Sequence, residues 1–255
     1  MSSEQQARWG TLYGVGVGPG APDLLTLRAE RILRSCPVIY VPARTGEQSY
    51  AAHIIAGLLD QSCQEICTLQ FPMRSEPRQA IPARLEAAQQ VLRRLSTGSD
   101  VAFVSEGDPL LYSTFGYLLE TVKAQEPHVA VQIIPGITSV TAAAASARLS
   151  LASWDEQVAI LPAVHVLARA HKSEPGILRA MLQSFDTIVL LKIHTVFDTL
   201  LDILEQLNLV QHAIVVRRCS TEQEEVIFDI ARLRQQPLEY FSLMIVRKPY
   251  ATGKV

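Results

Sequence analysis

Three glycine-bearing turns are the part of this sequence best suited to chemistry. They are segments 14–20 (GVGVGPG), 105–109 (SEGDP) and 135–139 (PGITS), and each follows an apolar run of strand character. Ligands of open α/β sheets bind beyond the carboxyl ends of the parallel strands. Glycine permits positive φ and close approach to the backbone. Together the turns predict a pocket for a medium-sized ligand, whose identity composition and spacing do not give.

The polar side chains in and near these turns could either contact a ligand or stabilise the local backbone. Asp108 precedes Pro109, which favours extended backbone and lets the carboxylate project into a crevice, although an ordinary Asp-Pro turn opening a helix is equally compatible. Thr138 or Ser139 can cap the following helix or offer a hydroxyl to a ligand. Asp23 is expected to cap the first helix.

A dinucleotide-binding turn is the main alternative for the first glycine segment. Gly16, Gly18 and Ala21 fit the loose fingerprint of that turn. Pro19 and Pro22 oppose it, because they lack the N–H groups that would face a pyrophosphate. The second strand also lacks an acidic residue for a ribose hydroxyl. An NAD(P)-dependent Rossmann oxidoreductase therefore remains an alternative of a different class.

Strands alternate with helices in the first half of the chain, which predicts an α/β fold with a largely parallel sheet. A helix is expected over 110–124. After residue 136 a small-residue helix is followed mainly by strands, and the strands over 213–217 and 225–230 are expected to pair antiparallel. We therefore predict two α/β domains, 1–134 and 135–255, packed around a cleft.

Composition narrows the class of protein. The 255 residues are 48% hydrophobic and 19% charged with a net charge of −2, which excludes intrinsic disorder and a global basic field for nucleic acid or anionic lipid. The N-terminus is polar, and no apolar run reaches the ~18 residues of a membrane span. Cytoplasmic localisation is expected. Cys36, Cys63, Cys67 and Cys219 lack a complete metal-ligand spacing, which favours free buried thiols and no metal.

Longer stretches of sequence resemble a known family. Segments 12–29 (LYGVGVGPGAPDLLTLRA), 105–114 (SEGDPLLYST), 131–145 (VQIIPGITSVTAAAA) and 240–248 (YFSLMIVRK) are similar to the tetrapyrrole methylases, the class III S-adenosylmethionine-dependent methyltransferases. Segments 71–73 (FPM), 110–114 (LLYST) and 160–162 (ILP) are similar to the branch that methylates carbon 20 of precorrin-2 or cobalt-precorrin-2. The family alternatives are another macrocycle position or uroporphyrinogen III.

The resemblance implies two α/β domains of the tetrapyrrole methylase type, with a cofactor cleft between them, and a homodimer. It implies S-adenosylmethionine as cofactor, S-adenosylhomocysteine as product and a tetrapyrrole as substrate. The implied cofactor contacts are Pro19, Glu106, Gly107, Asp108, Leu111, Thr138, Ser139, Lys192, Cys219, Ser220, Ser242 and Leu243. Lys192 stands where many relatives have methionine, and Glu106 where glycine is commoner.

The implied chemistry is transfer of a methyl group to an electron-rich ring carbon. Positioning is the protein's main task, and a covalent intermediate is not required. Asp108 and Tyr112 are candidates for removing the proton. Arg44 and Arg74 are candidates for pairing with the substrate carboxylates, because arginine offers a planar fork that matches a carboxylate.

Overall fold

The computed structural model describes residues 9–43, 49–71, 81–173 and 176–249, without the side chains of 169–173. The chain divides into two compact units, Met1–Thr138 and Ser139–Val255. The strands are β1 Thr11–Gly16, β2 Val38–Ala43, β3 Glu65–Gln70, β4 Val101–Ser105, β5 Ala130–Ile134, β6 Val158–Pro162, β7 Thr187–Leu191, β8 Ala213–Arg217, β9 Glu225–Ile227 and β10 Ser242–Arg247. The α-helices are α1 Leu27–Ser35, α2 Tyr50–Ile55, α3 Ile81–Ser96, α4 Phe115–Gln125, α5 Ser139–Ser146, α6 Ala163–Ser173, α7 Gly176–Ser184 and α8 Phe197–Gln206.

The first unit contains a parallel sheet with the strand order β3-β2-β4-β1-β5. Successive residues of a strand point to opposite faces, and both faces are covered here. Val101 and Phe103 of β4 belong to one buried cluster with Phe115 of α4. Ala102 and Val104 belong to a second cluster, which includes residues of α1 and α2. This double burial explains the nearly continuous apolar runs of the strands, and the parallel sheet of the first half is confirmed.

The second unit contains a mixed sheet with the strand order β6-β7-β10-β8-β9. Strands β6 and β7 are parallel, whereas β10 is antiparallel to both β7 and β8. Leu190, Val215 and Met244 lie directly across from one another on these strands and are fully buried in one cluster with residues of α6, α7 and α8. The predicted antiparallel pairing after β8 is confirmed, although β9 already ends at Ile227. The mixed α/β fold class is thereby confirmed.

Two helix starts differ from the sequence prediction. Helix α4 begins at Phe115 rather than at residue 110, because side-chain hydrogen bonds hold the preceding segment as a loop. The cap of α1 is Thr26 rather than Asp23: Thr26 Oγ1 accepts a hydrogen bond from Ala29 N at 3.1 Å. Thr26 directly precedes the first helical residue, as the capping position requires.

The cysteines also differ in part from the expectation of buried thiols. Cys36 and Cys219 are buried, but Cys63 is exposed and Cys67 is partly exposed. Cys63 lies in the turn before β3, and Cys67 lies on β3, which is an edge strand of its sheet. Among the described residues, no group of three or more His, Cys, Asp or Glu side chains has the proximity that a metal ion needs. The helices described here include none with the length and hydropathy for crossing a bilayer.

Candidate functional site

The three glycine turns of the first unit contact one another through their backbones. Gly107 N donates to Gly18 O at 2.7 Å, and Gly18 N donates to Gly107 O at 3.3 Å, which forms an isolated antiparallel bridge. A Cβ atom added to Gly16 would lie 2.6 Å from both Gly107 O and Gly136 Cα. Gly18 and Gly107 have φ values of +79° and +67°. The close packing of the turns against each other is therefore enough to explain why glycine is needed at these positions.

The carboxylate of Asp108 connects the second and third turns. Its Oδ1 accepts a hydrogen bond from Leu110 N at 2.8 Å, and its Oδ2 accepts one from Gly136 N at 3.0 Å. Both oxygens are thus engaged by backbone amides, although a carboxylate can accept further hydrogen bonds. The Asp108 side chain therefore extends across to the neighbouring turn.

The loop that follows Asp108 is held at both ends. Ser113 Oγ donates to Ser105 Oγ at 2.9 Å and accepts from Phe115 N at 3.1 Å. Between these anchors, Tyr112 is 46% exposed and has a φ of +53°, which is unusual for a bulky residue. Strained backbone of this kind is found preferentially at functional sites. The loop thus presents the Tyr112 ring in a constrained position.

The sequence-predicted contacts of the first unit lie at this edge of the sheet. Gly107 takes part in the bridge to Gly18, beside Pro19, and Glu106 directly precedes it with an exposed side chain. Leu111 is half-buried in the anchored loop, and Thr138 is the last residue of the unit. A carboxylate at position 106 makes this edge suited to a cationic group.

Another set of predicted contacts lies at one end of the second sheet. Because β10 is antiparallel to β7 and β8, its first residues lie beside the carboxyl ends of both strands. Ser242 is paired with Arg217, and Leu243 is paired with Leu191, the residue before Lys192. Lys192 leaves β7 with a φ of +58°. The structure therefore brings Lys192, Ser242 and Leu243 together.

The loop after β8 carries Cys219 and Ser220. The Glu224 carboxylate accepts hydrogen bonds from Ser220 N at 2.5 Å and from Ser146 Oγ at 2.8 Å, and thereby ties the loop to the last residue of α5, the helix that Ser139 begins. Burial, with a smaller contribution from the negative charge of Glu224, raises the pKa of the Cys219 thiol to about 12. The thiol is therefore protonated at neutral pH and acts as a packing group, not as a nucleophile.

Arg217 is a residue of this region that the sequence analysis missed. Its Nη1 lies 3.3 Å from Glu225 Oε2, but its Nε and Nη2 atoms are buried with no hydrogen-bond partner in the described part of the chain. Ser242 Oγ, on the neighbouring strand, is also buried and unpartnered there. The strand register pairs Arg217 with Ser242. This pairing could not be predicted from sequence, because it depends on the order of the strands in the sheet. Arg44 and Arg74 lie outside the described residues.

The chain is similar to known proteins over nearly its whole length. The family model of the tetrapyrrole (corrin/porphyrin) methylases matches residues 11–234. A cobalt-precorrin-2 C(20)-methyltransferase of Salmonella typhimurium is 32% identical over 243 residues, which are 94% of this chain and 98% of that protein. A probable cobalt-precorrin-2 C(20)-methyltransferase of Methanocaldococcus jannaschii is 32% identical over 93% of this chain and 96% of that protein.

Among solved structures, the fold is similar to that of a uroporphyrin-III C-methyl transferase from Thermus thermophilus complexed with S-adenyl homocysteine. That similarity has a TM-score of 0.65 at 21% identity and covers 94% of this chain and 98% of the other. At this level of identity the likeness establishes the fold.

Proposed function

The chain belongs to the tetrapyrrole (corrin/porphyrin) methylases, and we propose that it transfers a methyl group from S-adenosylmethionine to carbon 20 of precorrin-2 or cobalt-precorrin-2 in cobalamin biosynthesis. The observation that carries this proposal is the 32% identity to the Salmonella typhimurium protein, which extends over nearly the full length of both chains. The family model alone, over residues 11–234, already includes the glycine turns and the loop at 108–114.

The residues present fit S-adenosylmethionine. When bound, this cofactor supplies a methyl group on a positively charged sulfur. The exposed Glu106 carboxylate complements such a charge, since unlike charges attract most strongly where water is displaced. The buried Ser242 Oγ, which has no hydrogen-bond partner in the described chain, offers a donor and an acceptor to a polar ligand atom. We assign Pro19, Gly107, Leu111, Thr138, Ser139, Lys192, Cys219, Ser220 and Leu243 to the same proposed set of contacts.

Positioning is the main contribution that we propose for the protein. Holding two reactants in line can lower a barrier by ~7–11 kcal/mol. Asp108 serves this purpose by fixing the second turn against the third through Gly136 N, and Ser113 anchors the far end of the loop. Because both Asp108 oxygens already accept backbone hydrogen bonds, Tyr112, whose side chain is exposed, is the better of the two candidates. Its hydroxyl would accept the proton from the ring carbon while releasing its own proton to water.

Cationic side chains would hold the acid groups of the substrate. We propose Arg44 and Arg74 for this role, since an arginine fork matches a carboxylate. Reversing either charge, in Arg44→Glu or Arg74→Glu, should weaken tetrapyrrole binding and leave the affinity for S-adenosylmethionine unchanged. Calorimetric titration of both ligands tests this, and an equal loss for both would contradict the assignment.

The working form that we propose is a homodimer in the cytoplasm. The dimer follows from the family resemblance, and the compartment from a biosynthetic activity and from four cysteines without a disulfide among the described residues. Light scattering after size-exclusion chromatography tests the dimer, and an elution as a monomer at micromolar concentration would contradict it.

The decisive experiment for the function is a product analysis. The purified chain is incubated anaerobically with precorrin-2, and separately with cobalt-precorrin-2, in the presence of S-adenosylmethionine labelled with ¹³C in its methyl group. We expect a labelled methyl at carbon 20 in the NMR spectrum of the product, with equimolar release of S-adenosylhomocysteine. The preferred substrate shows whether the chain methylates the metal-free or the cobalt-containing ring.

Other outcomes of that experiment separate the alternatives. A label at another ring position, or methylation of uroporphyrinogen III alone, would identify a different member of the family. Cofactor binding without release of S-adenosylhomocysteine would indicate a sensor and not an enzyme. Binding of NAD(P)H in place of S-adenosylmethionine would support the oxidoreductase.

A further inference from the structure

An arginine and a serine on neighbouring strands of the second unit both have unpaired polar atoms. Arg217 on β8 and Ser242 on β10 are directly paired in the sheet register, so their side chains lie on the same face. The Nε and Nη2 atoms of Arg217 and the Oγ atom of Ser242 are buried and have no hydrogen-bond partner among the described residues. Buried polar groups are nearly always hydrogen-bonded, so this coincidence calls for a partner.

The carboxylate beside Arg217 is shared with a second arginine. Glu225, paired with Arg217 on the adjacent strand β9, lies 3.3 Å from Arg217 Nη1 through its Oε2 atom. Its other oxygen, Oε1, lies 2.8 Å from Nη2 of Arg232. A single carboxylate is thus shared by two guanidinium groups, and it engages only the Nη1 atom of Arg217.

The unpaired atoms of Arg217 are arranged so that they match a carboxylate. Nε and Nη2 form one edge of the planar guanidinium group, and this edge donates two parallel hydrogen bonds to a carboxylate. The Ser242 hydroxyl can donate a third. The Arg217 side chain as a whole is 21% exposed, whereas these two atoms are buried. Leaving such donors buried and unmatched would be costly.

We propose that Arg217 and Ser242 form a subsite for a ligand carboxylate. The inference rests on the proposed function, which supplies two sources of that group: the methionine part of the cofactor and the acid side chains of the tetrapyrrole. Arg217 binds the carboxylate through its Nε and Nη2 edge, Ser242 donates to the same group, and Glu225 holds the guanidinium by its opposite side.

The test compares Arg217→Met, Arg217→Lys and Ser242→Ala with the unchanged chain. Arg217→Lys keeps the charge but loses the fork. Arg232→Met is the matched control, because Arg232 also contacts Glu225 but is exposed and has no unpaired buried atoms. Isothermal titration is performed with S-adenosylhomocysteine, with 5′-methylthioadenosine, which lacks the amino acid part, and with precorrin-2 under anaerobic conditions.

We expect Arg217→Met and Arg217→Lys to weaken one acidic ligand by roughly tenfold or more, since hydrogen bonds to charged groups are the stronger ones. A loss for S-adenosylhomocysteine but not for 5′-methylthioadenosine assigns the subsite to the cofactor. A loss for precorrin-2 alone assigns it to the substrate. Ser242→Ala should weaken the same ligand to a smaller extent, and Arg232→Met should weaken neither.

Thermal unfolding without ligand separates binding from folding. Arg217→Met removes two buried donors that have no partner among the described residues, and Glu225 keeps Arg232 as an ion-pair partner, so the unfolding temperature should not fall. Equal affinities of the unchanged chain and both Arg217 variants for all ligands would overturn the subsite while leaving the proposed function intact. Failure of the unchanged chain to bind either acidic ligand would overturn both.

Discussion

Asp108 is the single side chain that joins two of the three glycine turns. Replacing it with alanine removes the acceptors of Leu110 N and Gly136 N, and each charge-assisted hydrogen bond is worth about 1.5–3 kcal/mol. We expect Asp108→Ala to abolish measurable S-adenosylhomocysteine binding and to lower the unfolding temperature. Asp108→Asn keeps one acceptor oxygen and should retain part of both.

Calorimetry and thermal unfolding measure these effects. Asp23→Ala is the matched control, because Asp23 is an exposed aspartate of the same unit without a capping hydrogen bond to the helices beside it. An Asp108→Ala variant with unchanged affinity would refute the positioning role.

Substitution of Tyr112 tests which group accepts the proton. Removing its hydroxyl in Tyr112→Phe keeps the ring and the loop, so we expect kcat to fall by ~10²-fold or more while the affinity for S-adenosylhomocysteine stays the same. Tyr117→Phe is a fitting control, because Tyr117 is also 46% exposed but lies on α4 with its ring against Arg84. Steady-state kinetics decide the matter, and an unchanged kcat for Tyr112→Phe would place the base elsewhere.

The turns make a further prediction at the scale of the elements. A Cβ atom at Gly136 would lie 2.0 Å from Gly107 O, so Gly136→Ala must push the second and third turns apart. Overpacking of this kind costs typically 1–3 kcal/mol. At Gly116 in α4 no atom lies within 4 Å of the added Cβ, and Gly116→Ala should be neutral or stabilise the helix by up to about 1 kcal/mol.

Urea unfolding of the two glycine variants measures the contrast. If both variants changed the free energy of unfolding by the same amount, the contact between the turns would not explain the glycine at position 136.

Most strands were predictable from sequence because they are buried apolar runs, as β4 and β10 are. Helix α4 was placed too early, since the apolar residues at 110 and 111 resemble a helix start but belong to a loop fixed by Asp108 and Ser113. The hydrogen bond from Gly136 N to Asp108 spans 28 residues. Contacts of this range follow from strand order, which local periodicity does not encode.

The candidate site also contains residues that sequence motifs predict and residues that they do not. Motifs with glycine, proline and acidic residues were visible in the sequence, and they lie at the ends of β1, β4 and β5 as expected. Arg217 was invisible, because an arginine at the end of a strand has nothing unusual until Ser242 and Glu225 are placed beside it. A residue whose role depends on its unpaired neighbours is found only once the neighbours are known.

For the molecule as a whole, a net charge of −2 provides no long-range attraction for a polyacidic substrate. Retention of such a ligand then depends on local groups of cationic side chains. The Arg217 guanidinium, held on one side by Glu225, is one such group. Discrimination between ligands is therefore expected to come from short-range fork geometry, which is less sensitive to ionic strength than a global field.

Each of the two units contains one buried thiol, and this predicts how the whole molecule responds to alkali. Burial is the main cause that raises the pKa of both Cys36 and Cys219 from 9.0 to about 12. Above pH 9 the unfolded chain loses these protons while the folded chain keeps them, so the unfolded state binds fewer protons and stability falls as pH rises. The stability is fully present below pH 9 and is lost progressively towards pH 12, by about 1.4 kcal/mol per pH unit for each thiol.

Urea unfolding between pH 8 and pH 10.5 measures this slope, and single variants assign it to a unit. Cys36→Ala should flatten the alkaline loss of the first unit only, and Cys219→Ala that of the second, since the two thiols lie in different units. Cys63→Ala is the comparison variant, because Cys63 is exposed. Its pKa is also raised, by partial desolvation and by Asp60, but its replacement should change the slope less than replacement of either buried thiol. Identical slopes in all the variants would mean that other groups, and not the buried thiols, control the alkaline stability.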